Sequence, residues 1–124
     1  MPQALRNAFV VLFWAHFLFA LRILLPPEPV LTLVGWQAVD PLTTRLVAAA
    51  LSGIGIESWR GRNGDASAFR MMLTLKVIWS ATAVLGLGWS MDEGAQGRPL
   101  FGWLVLGIFV VFHGLWLYWW RRMR

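Results

Sequence analysis

The sequence contains no cysteine, and charged residues make up only 14% of its 124 positions. The absence of cysteine excludes disulfides, thiolate metal sites and thiol catalysis. Because 58% of the residues are hydrophobic, the chain has too little charge to cover a soluble domain with a polar surface. These features place it in a lipid bilayer, and its length predicts one transmembrane domain over residues 1–124.

The sequence patterns of common enzyme classes are also missing. It has no H-E-x-x-H, P-loop or G-x-S-x-G motif, and no apolar segment carries a pair of carboxylates. We therefore predict a protein that is not an enzyme and that has no metal site.

Four apolar segments are present, at residues 4–25, 41–59, 68–89 and 100–120. Each is close to the roughly 20 residues with which a helix crosses the hydrocarbon core. Proline and turn-forming residues separate them, at 26–29 (PPEP), 60–65 (RGRNGD) and 91–99 (MDEGAQGRP). The sequence predicts an all-α, four-helix membrane bundle with an outer loop at 26–40. Residues 30–39 are expected to form an interfacial turn or short helix, and Asp40 to cap the helix that Pro41 begins.

The basic residues are distributed unevenly between the ends of the apolar segments. The net charge is +5, but the arginines flank the apolar segments, so nucleic-acid binding is not expected. If the N-terminus is cytoplasmic, the cytoplasmic ends carry Arg6, Arg60, Arg62, Arg70, Arg121, Arg122 and Arg124. The outer ends carry only Arg98, with Arg22 and Arg45 just inside the outer boundary. This bias predicts that both termini are cytoplasmic.

Lys76 interrupts the third apolar segment and needs a partner at that depth. Side chains lean toward the N-terminus of their helix, so Glu57 on the second segment and Lys76 on the antiparallel third segment should converge. We predict a Glu57–Lys76 charge pair. One interpretation is a structural pair, or a lysine that snorkels to the interface without a fixed partner. The other is a proton-titrating or ligand-binding pair.

The helix faces are consistent with packing between these segments. Lys76, Ser80 and Ala83 form a small, polar stripe on the third segment, opposite Leu75, Ile78 and Leu85. On the second segment, Ala49 and Gly53 have the small-xxx-small spacing that permits close helix contact. We expect both stripes to face neighbouring helices.

Further polar residues lie near the predicted outer boundary. We predict an outer polar cluster that comprises Arg22, Arg45, Asp40 and Glu28. It either anchors the protein to lipid headgroups or binds an anionic headgroup or metabolite.

Two histidines lie within apolar segments, His16 in the first and His113 in the fourth. On neighbouring helices they are candidate axial ligands of a haem. The alternative is a neutral imidazole that hydrogen bonds to a carbonyl or a serine.

The stretch DPLTTRLVAAALSGIGIESWRGR, followed by LKVIWS, resembles the small four-helix DoxX-like proteins of bacterial inner membranes and related uncharacterised proteins. The shared features are an Asp-Pro in a loop, an arginine four residues after the proline, a small-residue helix and a basic turn. The resemblance covers the middle half of the chain. It implies a membrane four-helix bundle in a bacterial inner membrane and little about chemistry.

The sequence thus favours a non-enzymatic accessory, scaffold or assembly subunit that binds lipids and either a membrane-protein partner or further copies of itself. One alternative is a small oligomeric transporter that uses Glu57 and Lys76. The other is a haem- or quinone-interacting redox subunit that uses His16 and His113. No cofactor is predicted in the favoured interpretation.

Overall fold

The computed structural model describes residues 2–124, and within that range the regular structure is entirely helical. It comprises α1 (Gln3–Leu24), α2 (Glu28–Leu33), α3 (Pro41–Gly61), α4 (Ala66–Asp92) and α5 (Leu100–Arg122), with a 3₁₀ turn at Ala95–Gly97. The four long helices overlap the four predicted apolar segments. The short α2 overlaps the start of the region in which a turn or short helix is expected.

Residues at the helix ends explain where the helices begin and stop. Asp40 accepts hydrogen bonds from the amides of Leu42 and Thr43, and Pro41 opens α3, so the predicted cap is confirmed. Asp65 caps α4 in the same way through the amide of Ala68. At the other end of α4, Arg98 donates from Nε to the Met91 carbonyl at 3.0 Å and from Nη2 to the Asp92 carbonyl at 2.5 Å. These bonds satisfy carbonyls that a helix end otherwise leaves free.

Three helices, α1, α4 and α5, are long and apolar enough to cross a membrane by length and composition. They identify the chain as an integral membrane protein. Helix α3 has 21 residues but carries Arg45, Glu57 and Arg60, and it does not reach the same apolar character. The structure therefore shows three of the four predicted spans by this measure.

The long helices form two antiparallel pairs. Helix α1 packs along α3 and α4 packs along α5, whereas α3 and α4 touch at few places. Gly55 marks the close approach within the first pair, since a Cβ at this position would lie 3.2 Å from the Cβ of His16. A buried cluster from α1, α4 and α5 joins the two pairs near the chain termini, and comprises Leu5, Phe9, Leu12, Phe69, Met72, Leu73 and Trp116.

The connections reinforce both ends of the fold. Near the termini, the Arg6 guanidinium donates to the Arg62 carbonyl at 2.5 Å and to Asn63 Oδ1 at 3.2 Å. At the opposite end, the Ala38 amide donates to Gln96 Oε1 at 2.7 Å. The 26–40 connection is thereby tied to the α4–α5 loop.

The face of α3 that packs inward differs from the predicted one. Its buried residues are Ala48, Leu51, Gly55 and Ser58. Ala49 and Gly53 are exposed, and a Cβ on Gly53 would meet nothing within 4 Å. The prediction for this face is wrong by one residue, or about 100° of helix rotation. The reason is that the actual contact with α1 is at Gly55, where the absence of a side chain permits the close approach.

The predicted division of α4 is confirmed. Lys76 and Ser80 are buried, whereas Leu75, Ile78 and Leu85 are exposed. The polar stripe of α4 therefore faces the interior of the bundle, which places Lys76 beside the other helices.

Candidate functional site

Lys76 is held by contacts from three other helices. Only 3% of its surface is exposed, and its Nζ donates a hydrogen bond of 2.6 Å to Ser58 Oγ on α3. The ring centroids of Phe9 on α1 and Trp116 on α5 lie 4.8 Å and 5.4 Å from Nζ. Both distances fall within the roughly 6 Å over which an aromatic face attracts a cation. One hydroxyl and two rings thus surround the amine.

Ser58 is fixed as a hydrogen-bond acceptor for this amine. Its Oγ donates to the Ile54 carbonyl at 2.6 Å, which uses the single proton of the hydroxyl. The oxygen lone pairs then accept from Lys76. Because an amine retains N–H donors with or without its third proton, this bond survives a change in the protonation of Lys76.

The predicted Glu57–Lys76 pair is replaced by the bond to Ser58. The Glu57 side chain is exposed, and the hydrogen bond of the Lys76 amine goes to Ser58. Successive helical residues point about 100° apart, so the rotation that brings Ser58 inward turns Glu57 outward. The prediction chose the correct turn of α3 but the wrong residue.

A second polar contact joins α4 to α5. Ser80 Oγ donates to the Lys76 carbonyl at 2.7 Å and lies 2.9 Å from His113 Nδ1. Since the serine proton goes to the carbonyl, the tautomer that fits has Nδ1 of His113 donating to the serine oxygen. His113 therefore matches the alternative of an imidazole bonded to a serine.

A cavity of about 270 Å³ lies between the two helix pairs, and residues of α1, α3, α4 and α5 line it. Lys76 and Trp116 line it on the side of the termini, and Phe19 and Phe101 line it on the opposite side. Along α5 the lining runs from Phe101 to Trp116, which is about 22 Å of helix at 1.5 Å per residue. The cavity is therefore elongated along the helix axes, with Lys76 toward one end.

Two more nitrogen-bearing side chains, His16 of α1 and Trp79 of α4, line the same cavity. His16 Nδ1 and Trp79 Nε1 are buried and have no hydrogen-bond partner among residues 2–124. Buried polar groups are nearly always hydrogen-bonded in proteins. With Lys76, these residues give an otherwise mostly apolar wall the capacity to bind a molecule that has an apolar body and hydrogen-bonding atoms.

The two histidines of the haem hypothesis lie in different surroundings. His16 lines the cavity, whereas His113 is not among the lining residues and bonds to Ser80. The structure does not bring the two rings to a shared cavity. This arrangement does not favour a haem that both histidines ligate, and that haem stays a prediction.

The predicted outer cluster comprises Arg22, Glu28, Asp40 and Arg45, and all four are exposed near the end of the fold opposite the termini. Arg22 donates to the Pro26 carbonyl at 3.4 Å, and the Asp40 carboxylate serves as the α3 cap. The Thr43 hydroxyl, followed by the Leu42 amide, holds the pKa of Asp40 below its ordinary value. The hydrogen bonds of Arg22 and Asp40 are therefore local ones, and headgroup binding by the cluster stays a prediction.

Four residues of the site were not identified from the sequence, namely Phe9, Ser58, Trp79 and Trp116. Trp79 follows Lys76 by three residues, so helical spacing offered a signal. Ser58 directly follows Glu57, and only the rotation of α3 distinguishes them. Phe9 and Trp116 come from the first and last helices, and no local pattern links them to Lys76.

The function of this chain is inferred from the geometry of the site, because the comparisons with known proteins found no relative. The DoxX-like resemblance stays a prediction. No protein-family model, curated protein or solved structure matches this chain.

Proposed function

We propose that this chain is a non-enzymatic membrane protein that binds a small, largely apolar molecule in the cavity between its two helix pairs. The observation that carries the proposal is a buried lysine in the wall of that cavity. Charged residues inside a membrane domain are costly, and those retained commonly mark a ligand or ion site. Sites for small molecules are mostly apolar, with a few polar groups that orient the ligand.

The same proposal includes α3 as a fourth span of an inner-membrane bundle. Its 21 residues extend over about 31 Å, and it lies antiparallel to α1, which is long and apolar enough to span. Both chain termini then lie at the end that carries most of the arginines. The positive-inside rule favours a cytoplasmic location for that end.

The experiment that tests this function compares two matched substitutions on α5. Val105 lines the cavity, whereas Val110 is 50% exposed and is not among the lining residues. Native mass spectrometry of protein extracted gently from its own membranes should show a bound small molecule for the unmodified chain and for Val110→Trp. Val105→Trp should lose most of it, because the larger indole obstructs the apolar part of the cavity. Equal occupancy in both variants would count against binding at this position.

Assembly is a second candidate role, and the exposed Ala49–Gly53 face of α3 favours it. Two small residues four apart permit close approach of another helix, and this face is not covered within the chain. Replacing both residues by leucine should reduce the fraction of the chain that native mass spectra show bound to a partner protein or to further copies of itself, without unfolding the monomer. Gly86→Leu is the matched control, since a Cβ at Gly86 also meets nothing within 4 Å. Unchanged association of the double variant would exclude this face as the interface.

A further inference from the structure

The groups that touch the Lys76 amine supply no negative charge. They are the Ser58 hydroxyl and the rings of Phe9 and Trp116, and Glu57 is exposed rather than bonded. A buried ammonium loses most of its hydration, and an anion in direct contact is the most effective compensation. A ligand with a negatively charged group would provide that anion.

Lys76 and Trp79 add hydrogen-bond donors to the cavity wall, and His16 adds a ring nitrogen that donates or accepts according to its tautomer. An ammonium has three donors, and the one hydrogen bond of Lys76 within residues 2–124 goes to Ser58. The Trp79 indole nitrogen is only a donor and has no partner in that range. The Ser80 oxygen is already engaged with a carbonyl and with a histidine. A ligand that contacts Lys76 and Trp79 therefore carries oxygen acceptors at that position.

The shape of the cavity separates this polar region from an apolar one. Lys76 lies toward one end, and the lining continues along α5 past Phe109 and Val105 to Phe101. The volume of about 270 Å³ lies just below the roughly 300–1,000 Å³ that is usual for small-molecule sites. A short aliphatic chain that extends from a single polar head has this size and this division.

We propose that the ligand is a carboxylate with an aliphatic chain of medium length, such as a medium-chain fatty acid. Its carboxylate pairs with Lys76 and its chain lies along α5 toward Phe101. This inference rests on the proposed function and adds the chemical class of the ligand.

The test is isothermal titration of the purified full chain in lipid nanodiscs with octanoate and with methyl octanoate, its uncharged ester. Val105→Trp provides the reference, because lipid partitioning continues in this variant whereas the indole obstructs the apolar part of the cavity. Octanoate should bind the unmodified chain at least tenfold more tightly than the ester does. Lys76→Met leaves an unbranched side chain that is one atom shorter and removes the charge, and it should abolish that preference.

The outcomes separate this inference from the proposed function. Equal binding of ester and octanoate to the unmodified chain, lost in Val105→Trp, would overturn the carboxylate and leave the cavity as a binding site. Tighter binding of a short-chain quinone than of octanoate would also overturn the carboxylate and leave the cavity as a binding site. If neither probe distinguishes the unmodified chain from Val105→Trp, the inference fails, and the proposed function fails with it when native mass spectra show no co-purifying molecule. The comparison within the unmodified chain decides the matter even if Lys76→Met does not fold.

Discussion

Replacing Ser58 by alanine tests how much the Lys76 contact contributes to stability. Ser58 and Ser52 lie on the same helix, and each donates its hydroxyl proton to the carbonyl four residues earlier, at 2.6 Å and 2.8 Å. Only Ser58 also accepts a hydrogen bond from Lys76. Ser52→Ala is therefore the control for the loss of the shared local bond.

The expected magnitude follows from two measured classes of hydrogen bond. Side-chain bonds between membrane helices average about 0.6 kcal/mol and reach about 1.7 kcal/mol. Bonds to charged groups contribute about 1.5–3 kcal/mol. Because the Lys76–Ser58 bond is short and buried, we expect Ser58→Ala to lower the free energy of unfolding by about 1.5 kcal/mol more than Ser52→Ala does.

Reversible unfolding in mixed micelles, followed by far-UV circular dichroism, measures both variants under the same conditions. The double variant Ser58→Ala with Lys76→Met should lose less than the sum of the two single changes, since both remove the same bond. A difference between the serine variants below about 0.5 kcal/mol, together with additive effects in the double variant, would refute the assigned contact.

Three further predictions concern packing, the aromatic contact and the helix cap. Gly53→Ala should raise the free energy of unfolding by up to about 1 kcal/mol, because the added Cβ meets nothing within 4 Å and alanine favours helix. In the same unfolding assay, the Gly55→Ala variant should be less stable than the Gly53→Ala variant by about 1–3 kcal/mol, because the added Cβ presses against α1 at His16. The cost of Phe9→Leu should fall by about 0.5–2 kcal/mol when Lys76 is already methionine, as a cation–π contact requires, and equal costs in the two backgrounds would exclude that contact. In the folded state the pKa of Asp40 is below its ordinary value. The charge of Asp40 therefore stabilises the fold above the unfolded-state pKa, and this contribution disappears as the pH falls through the folded-state pKa. The melting temperature of Asp40→Ala should approach that of the unmodified chain in that acidic range, whereas a difference that does not change with pH would assign the effect to the cap geometry alone.

The long helices could be predicted because their signals are local. Apolar runs interrupted by Pro26 and by glycine-rich turns define four segments, and Asp40 beside Pro41 marks one helix start. Helix α4 begins earlier and ends later than predicted, at Ala66 and Asp92. The cap at Asp65 holds the added residues at its start, and the hydrogen bonds from Arg98 hold those at its end.

The partners of Lys76 could not be predicted in the same way. Ala49 and Gly53 form one small face of α3, and Ala48 and Gly55 form another, so composition does not distinguish which one packs against α1. That choice determines whether residue 57 or residue 58 meets the lysine. The contact with Phe9 depends on how the two helix pairs approach each other, which is a property of the whole fold.

The arrangement of two helix pairs also has a consequence for biosynthesis. Because α1 and α3 precede α4 in the chain, we expect their pair, with Phe9 and Ser58, to form before α4 follows. Lys76 would then enter the membrane beside Ser58 and Phe9, and α5 would add Trp116 later. With this order of helices, we expect Lys76 to have a hydrogen-bond partner as soon as α4 enters the lipid.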